Sequence, residues 1–397
     1  MRKSVVALAC AATMGSVQAK DLFELDVLVN GNQSASRGFN SVTDMVDTLS
    51  DNGLRALVDT YNDQSAAHAA LFIRGLPAEA EYNAQSATLY FRVPSLGISQ
   101  TFAGANRDES QEMFKAWLRG DGQAALTAML KELARVSPVD PVAGNPGSLM
   151  GQMVASDFGN AMDSGFIEPG ASSKPGNAGV VGLEYGQYSN GDYKQNVTRL
   201  PLGWNWGFAN GYIFKLDLPI TYTSTEGAKT GVFSVGGSLL IPIVRNWYLT
   251  PALRIGATGS EDLGAAAMMY SGSLTSRYSF EAGGLVWGMT NMVGVYRTQS
   301  LKAGDYEVDY DLANTTFRNG FDVGGKLPGN YGWRAWIIDT RFTGDELYSN
   351  NYQEYGVAGN MRVDVGGVVF DKATLGVTYI NGQHDVHGFK LNFGYKF

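Results

Sequence analysis

The sequence predicts an all-β transmembrane antiparallel barrel of about twelve strands, preceded by a small α+β domain and a linker or plug helix. Three observations predict it. The second half alternates apolar and polar residues in segments of about ten residues or more, long enough for a tilted strand to cross a bilayer. Glycine (50 residues) and aromatics (12%) are abundant, whereas charged residues make up only 17%. The last nine residues alternate strictly and end on Phe397.

The composition excludes other classes of protein. No stretch after the N-terminal segment reaches about 18 unbroken apolar residues, which a membrane-spanning helix would need. The mean hydropathy is −0.12, close to zero despite the few charges. The formal net charge is −8 and no basic patch is present, so we expect no nucleic-acid partner.

Residues 1–19 have the pattern of a secretory signal peptide. Arg2 and Lys3 precede an apolar run at 5–14, and a small-x-small cleavage site ends at Ala19. We therefore expect export by the general secretory route. Cys10 is the only cysteine, so the mature chain would contain none, which suits the oxidising periplasm.

Residues 20–140 are predicted to form a small exported α+β domain, large enough for its own core. Ser41 with Asp44 predicts the start of one helix, and Asn106 and Asp121 predict the N-caps of two later ones. Strands are predicted at 22–29, 69–75, 87–93 and 97–102.

Chemistry is scarce in this domain. His68 is its only histidine, and we expect it to be an ordinary surface residue although Ser65 and Asp63 are close in sequence. The chain contains no nucleophile elbow, metal-ligand spacing or phosphate loop. We assign no catalytic residue, no metal and no cofactor, and predict that the protein is not an enzyme.

Residues 141–177 are predicted to contain a helix and a flexible link. The Pro/Gly-rich stretch 137–146 leads into the helix, with Asn145 as N-cap and Pro146 at the first position. Small residues then recur every fourth position: Gly147, Gly151, Ala155 and Gly159. Such a ridge lets a helix lie close to a wall. Two interpretations stay open: packing on the N-terminal domain, or threading the lumen of the barrel as a plug. Residues 163–177 would be the flexible link.

Residues 178–397 are predicted to form the barrel. Short turns are expected at 209–210, 244–246, 327–330 and 371–372. The intervening connections are longer or more polar, which is the outer-membrane pattern of short periplasmic turns and longer outer loops. The stretch Gly264–Met289 keeps one parity and is predicted to be a single long strand.

The polar face of these strands should line the lumen. The lumen-facing set is Arg199, Lys215, Asp217, Arg254, Arg318, Asp322, Lys326, Asp339, Arg341, Arg362, Asp364 and Lys390. Its mixed signs predict salt bridges that fill a narrow barrel, with a selective channel or substrate path as the alternative. The acidic run 305–311 is predicted to be a solvated loop rather than a calcium site. His384 and His387 have no serine in their loop, which argues against an esterase.

The last strand resembles the C-terminal signal strand of Gram-negative outer-membrane β-barrels. Its apolar face consists of Phe389, Leu391, Phe393, Tyr395 and Phe397. The resemblance implies localisation in the outer membrane. It also implies three partners: outer-membrane lipid, the barrel assembly machinery and periplasmic chaperones.

The order of segments is similar to that of a monomeric autotransporter: exported domain, helix through the pore, then a twelve-stranded translocator. This resemblance implies a non-enzymatic barrel that anchors or translocates its own small N-terminal domain. The chain departs from the family because that domain lacks the repetitive Asn/Gly-rich pattern and any protease or adhesin motif. The alternative is an outer-membrane channel or transporter whose N-terminal domain or helix is a plug or a periplasmic module. The sequence indicates no ligand and no side of the membrane for that domain.

Overall fold

The computed structural model of the chain describes residues 20–162, 178–303, 306–329, 331–365 and 368–396. Only the backbone is described at 303, 306, 362–365, 368–372 and 395–396. The predicted signal peptide and the predicted flexible link at 163–177 lie outside the described residues, as does Phe397.

The N-terminal domain is built on a six-stranded antiparallel sheet. Its strands are β1 (Phe23–Val29), β2 (Gln33–Phe39), β3 (Ala67–Ile73), β4 (Leu76–Tyr82), β5 (Leu89–Val93) and β6 (Ile98–Phe102). They lie in the order β2-β1-β3-β4-β5-β6. In β1 every second side chain is buried, including Phe23, Leu25 and Val27. This period of two places the core on one face of the sheet. The sequence did not predict β2 and β4.

Four helices complete this domain: α1 (Val42–Thr48), α2 (Asp51–Leu57), α3 (Arg107–Arg119) and α4 (Gln123–Val136). Asn106 is the N-cap of α3, because its Oδ1 accepts a hydrogen bond from the backbone N–H of Glu109 at 2.8 Å. The N-cap of α4 is Gly122, so the prediction that Asp121 caps this helix is wrong. The ring of Phe102 lies 5.7 Å from Trp117 and joins α3 to the sheet.

The second half forms a closed antiparallel barrel of twelve strands, as predicted. The strand segments are β7 (Ala178–Asn190), β8 (Tyr193–Leu200), β9 (Leu202–Gly207), β10 (Ile213–Asp217), β11 (Ile220–Thr225), β12 (Ala228–Val244), β13 (Trp247–Ser260), β14 (Ala265–Ala282), β15 (Leu285–Gln299), β18 (Ala313–Leu327), β19 (Tyr331–Gly344), β20 (Asn351–Val365), β21 (Val368–Gly382) and β22 (His387–Lys396). A small hairpin, β16 (Leu301–Ala303) with β17 (Tyr306–Val308), lies in the connection between β15 and β18.

Two barrel strands are each interrupted once. Pro201 separates β8 from β9, and Pro219 lies between β10 and β11. Proline has no N–H for the ladder, which explains a break at these positions. The barrel closes where β22 pairs with β7, from Lys396 opposite Val180 to His387 opposite Ser189.

The two ends of the barrel differ. The turn end carries the start of β7, the end of β22 and the connections after β9, β12, β14, β18 and β20. The loop end carries the other connections, at 191–192, 226–227, 261–264, 300–312, 345–350 and 383–386.

Two predictions about turns are wrong. The stretch Gly264–Met289 is not one strand, because β14 and β15 meet in a tight turn at Gly283 and Gly284, where φ is +63° and +76°. The turn after β20 falls between Val365 and Val368, so residues 371–372 lie inside β21. The first of these turns consists of two glycines. Glycine adopts positive φ without steric cost, which is what a two-residue hairpin turn needs.

The outer surface of the barrel is apolar. Leu253, Leu375 and Phe389 are 73%, 63% and 58% exposed. This belt is what a barrel wall in contact with lipid requires, and the fold is that of an outer-membrane β-barrel. Among the described helices, none is both long and apolar enough to span a membrane.

The N-terminal domain lies on the loop end of the barrel. The backbone N–H of Val42 donates to the carbonyl of Asp262 at 2.8 Å. Lys131 forms an ion pair with Asp345 at 2.8 Å. The N–H of Tyr348 donates to the carbonyl of Ala134 at 2.9 Å. The domain therefore contacts several outer connections at once.

Candidate functional site in the barrel lumen

A helix, α5 (Leu149–Met162), lies inside the barrel. Its apolar side chains pack against glycines of the wall. A Cβ placed on Gly256 would be 2.9 Å from Cδ1 of Leu149 and 3.0 Å from Sδ of Met153, and one on Gly320 would be 2.8 Å from the ring of Phe158. Glycine in a strand interior allows this close approach. Of the two interpretations that the sequence left open, the structure has the helix in the lumen.

Asp157 is the buried centre of the contact between α5 and the wall. It is 1% exposed, and its Oδ1 accepts from Nε of Arg254 at 2.8 Å. Its Oδ2 accepts from the hydroxyl of Tyr296 at 2.9 Å and from Ser271 at 3.3 Å. Arg254 also pairs with Asp217 at 2.7 Å. A buried ion pair with these additional hydrogen bonds fixes the position of the helix, since each charge needs its partners.

The turn-end half of α5 is held by further polar contacts. Nδ2 of Asn160 donates to Oδ1 of Asp217 at 2.7 Å, and the backbone carbonyl of Asn160 accepts from Lys215 at 2.6 Å. A guanidinium N–H of Arg334 donates to the carbonyl of Met162 at 3.4 Å. These bonds satisfy carbonyl groups at the C-terminus of the helix, which have no partner within it. A cation there also complements the helix dipole.

The wall has its own ion-pair networks. Arg277 and Arg334 both bind Asp322, at 2.8 and 3.2 Å. Arg318 binds Glu354, and Lys390 lies 3.7 Å from the same carboxylate. Midway along the wall, Arg199 pairs with Glu184 at 3.1 Å. The guanidinium of Arg199 also donates to Ser156 of α5 at 2.6 Å.

Seven of the residues predicted to face the lumen point into it: Arg199, Lys215, Asp217, Arg254, Arg318, Asp322 and Lys390. The side chains of Arg362 and Asp364 lie outside the described part of the chain. Four further charged residues follow the same alternation and point inward, although they were not among the predicted ones: Glu184, Arg277, Arg334 and Glu354.

The prediction is wrong for Asp339 and Arg341, which lie on the outer face and are 30% and 69% exposed. In β19 the inward residues include apolar ones such as Ile338 and Phe342. Ile338 is inward because it packs with Phe158 of α5 around Gly320. The apolar side chain of the helix makes this part of the lumen apolar. In this part of β19, apolar residues therefore point inward and charged residues point outward.

The small residues Gly147, Gly151, Ala155 and Gly159 do not form one packing ridge. Gly147 precedes the helix, and Gly151 closely approaches the carbonyl of Asn145 in the preceding turn, at 2.7 Å from a placed Cβ. A Cβ on Gly159 would have nothing within 4 Å. Ala155 and Gly159 are only half-buried. The predicted close approach exists, but wall glycines provide it rather than helix glycines.

The stretch 137–146 is buried throughout rather than a solvated linker. Its centre is Asp140, whose carboxylate accepts from Arg74 of β3–β4 at 3.0 Å and from the hydroxyl of Tyr310 at 3.2 Å. The backbone N–H groups of Val142 and Ala143 also donate to it, at 2.9 and 3.2 Å. Asp140 thus joins the domain, the stretch leading to α5 and a barrel loop.

Burial governs the titration of this cluster. It raises the pKa of the Asp140 carboxyl, while the guanidinium of Arg74 opposes the rise. Burial also raises the pKa of Tyr310, so its hydroxyl keeps its proton and donates it to Asp140. The junction therefore behaves as a closed, water-poor contact.

The predicted assembly strand is β22. Phe389, Leu391 and Phe393 point outward and are 58%, 52% and 38% exposed. The backbone of Tyr395 pairs with Val181 and Ala373. Its side chain is not among the described ones. Phe397 lies outside the described residues, so its role stays a prediction.

The remaining candidates form no site. His68 is half-buried on the outer face of β3. The Nδ1 atoms of His384 and His387 contact backbone carbonyls at 2.5 and 2.9 Å. In the acidic run, Asp311 pairs with Lys131 at 3.4 Å. Among the described residues, no three His, Cys, Asp or Glu side chains come together as metal ligands would.

No protein-family model matches this chain, and no curated protein matches it. The chain is similar to several solved structures. The β domain of the Bordetella autotransporter BrkA is 20% identical with a TM-score of 0.43, covering 56% of this chain and 98% of that one. The translocator domain of the autotransporter NalP from Neisseria meningitidis is 11% identical with a TM-score of 0.47, covering 63% and 96%. An outer membrane channel from Pseudomonas putida F1 is 11% identical with a TM-score of 0.39, covering 58% and 98%.

Proposed function

We propose that this chain is an outer-membrane barrel with an autotransporter-like layout that anchors its own N-terminal domain at the cell surface. In this proposal α5 links the domain to the barrel and closes the lumen. One observation carries the proposal: α5 connects a domain at the loop end to a barrel whose two chain ends lie at the turn end. Its first residues follow the buried stretch beside the loops, where the N–H of Ser349 donates to Gly144 at 3.1 Å. Its last residue contacts Arg334 near the turn end.

The orientation follows from general properties of such barrels. Short turns and both ends of the barrel face the periplasm, and longer loops face outward. The turn end would accordingly be periplasmic and the loop end external. A domain docked on the loops would then be displayed outside.

No enzymatic step is part of the proposal. The charged groups at the centre of the lumen are paired with one another, as in the contacts of Asp157 and Asp322. Paired and buried charges of this kind hold elements together and leave no activated nucleophile. The barrel would thus act as an anchor, with outer-membrane lipid as its surroundings.

Protease shaving of intact cells tests the proposal. We expect the N-terminal domain of the full chain to be cleaved from outside, for example near the exposed strand β2. A periplasmic marker protein should stay intact in the same sample. Cleavage that occurs only after the outer membrane is permeabilised would contradict the proposal and favour a periplasmic module.

Export and insertion belong to the same proposal. The signal peptide 1–19 would direct the chain to the general secretory route, and the barrel assembly machinery with periplasmic chaperones would read the terminal strand. Deletion of Phe397 should strongly reduce insertion, whereas Phe389→Leu, which keeps an outward apolar residue, should insert normally. Normal insertion of the deletion variant would contradict this assignment.

The second candidate is a plugged channel. The observation that favours it is the excess of cations on the described lumen wall. The inward cations are Arg199, Lys215, Arg254, Arg277, Arg318, Arg334 and Lys390, against the anions Glu184, Asp217, Asp322 and Glu354. Deletion of residues 20–162 should then produce an open pore in planar bilayers. A deleted barrel that inserts but does not conduct would argue against a channel.

A further inference from the structure

Two asparagines lie on the outer face of the barrel within the apolar belt. Asn291 of β15 and Asn319 of β18 are directly opposite in register, and both side chains are exposed. The positions two residues away on each strand are apolar and 40% to 46% exposed: Met289, Val293, Phe317 and Phe321. The amides are therefore surrounded by lipid-facing side chains rather than located at the rim.

The two amides satisfy each other only in part. Nδ2 of Asn291 donates to Oδ1 of Asn319 at 2.7 Å. An asparagine side chain has two N–H donors and an oxygen with two lone pairs, so one bond leaves most of this capacity directed outward. Hydrocarbon offers no partner, and a polar group without one costs several kcal/mol there. Another protein surface would supply the missing partners.

The amides continue into a charged pair. Asp339 is the register neighbour of Asn319, and its carboxylate accepts from Nε of Arg341 at 2.9 Å and from Nε2 of Gln353 at 2.8 Å. We call these five residues, Asn291, Asn319, Asp339, Arg341 and Gln353, the outer polar patch. It contains donors and acceptors and both signs of charge. Such a patch complements a second copy of itself.

An apolar groove lies beside the patch on the same wall. Its volume is about 620 Å³, and its outward lining includes Gly237, Leu253, Gly272, Leu274 and Val293. Leu253 stands between the two glycines in register and is 73% exposed. The wall thus presents a protruding leucine next to a depression. When this surface meets a copy of itself, the leucine of each copy can enter the depression of the other.

We propose that the wall from β12 to β19 is a lateral interface between two copies of this chain within the outer membrane. The outer polar patch provides the hydrogen bonds and ion pairs of the contact, as polar groups do between membrane-embedded elements. Leu253 and the groove provide the apolar packing. The interface is independent of which side of the membrane carries the N-terminal domain, so it goes beyond the proposed function.

Cysteine crosslinking of the full chain in native membranes tests the interface. Residues 20–397 contain no cysteine, so single substitutions report one site at a time. Val293→Cys is next to the patch, and Leu391→Cys is an equally lipid-facing control on the far wall, 52% exposed. We expect Val293→Cys to give a covalent dimer under oxidation and Leu391→Cys to give none. Equal crosslinking at both sites, no adduct at Val293→Cys, or an adduct with a different protein would each overturn the proposal.

A second variant tests the polar contacts without disturbing the strand ladder. Asn291→Leu combined with Asn319→Leu keeps the side-chain size, removes both amide groups and matches the apolar neighbours on the outer face. We expect the dissociation constant of the dimer, measured by energy transfer on dilution in bilayers, to rise about tenfold, which corresponds to about 1.4 kcal/mol. Thr198→Leu, on the outer face of β8, should leave it unchanged. An unchanged constant for the double variant, or monomers at every dilution of the original protein, would contradict the interface.

Discussion

The ion pair between Asp157 and Arg254 offers the sharpest test of how α5 is held. Both side chains are fully buried, and Asp157 accepts three hydrogen bonds from the wall. Asp157→Asn removes the negative charge while keeping the shape and part of the hydrogen bonding. Arg254 would retain only Asp217 as an anionic partner.

The expected magnitude follows from this geometry. Removing one partner of a buried ion pair costs about 3 to 5 kcal/mol. Because asparagine keeps some hydrogen bonds, we take about 3 kcal/mol, which raises the population of the displaced helix about a hundredfold. Leu149, Met153 and Phe158 still anchor the helix, so it should leave the lumen only transiently.

Conductance of the full chain in planar bilayers measures the displacement. We expect Asp157→Asn to increase the frequency of openings about a hundredfold over the original protein. The triple variant Asp157→Leu, Arg254→Met and Asp217→Asn should restore most of the seal, because the charges of this buried network are then replaced together. Asp192→Asn is the matched control, since its pair with Lys20 is exposed and exposed pairs contribute little. Identical conductance of Asp157→Asn and the original protein would refute the role assigned to this pair.

Three further predictions concern the domain, its pH dependence and the lumen. Arg74→Met should leave the Asp140 carboxylate buried without its cation, which should lower the stability of the junction by about 3 kcal/mol. Hydrogen exchange of the backbone amides at 137–148 should therefore become faster. Arg92→Met, at an exposed site, should leave this exchange rate unchanged. Burial and the Asp51 carboxylate raise the pKa of Tyr61 to about 12, so the domain should lose stability as the pH rises from about 10, the ordinary tyrosine pKa, to about 12. Thermal unfolding should show this loss, and Tyr61→Phe should reduce it. A barrel that lacks residues 20–162 should conduct anions in preference to cations, because its described lumen wall carries more cations than anions. Reversal potentials measure this preference, and a preference for cations would contradict the prediction.

The sequence predicted the architecture because period-two alternation is a strong signal over strands of this length. Closure at twelve strands followed from counting alternating segments. Turn positions were less predictable where a Gly-Gly pair sits inside an apolar run, as at Gly283 and Gly284, because the alternation continues almost unbroken across the turn. Tight turns of two glycines add no polar residue to mark them.

The lumen was predictable only where it is polar. Arg254 and Asp217 follow the rule that polar residues point inward. Asp339 and Arg341 break it, because Phe158 and Ile338 make the adjacent interior apolar and the outer face there carries polar groups. No pattern within β19 alone reveals that an apolar helix side chain fills the other side of the wall. Likewise, the burial of 137–146 depends on Arg74 and Tyr310, which are distant in sequence.

The most direct test of the central claim is the side of the membrane on which the N-terminal domain lies. Ser34→Cys, in the exposed strand β2, and Asn246→Cys, in a turn at the opposite end of the barrel, can each be labelled in intact cells with a membrane-impermeant maleimide. We expect labelling of Ser34→Cys in intact cells and of Asn246→Cys only after permeabilisation. The reverse pattern would contradict it.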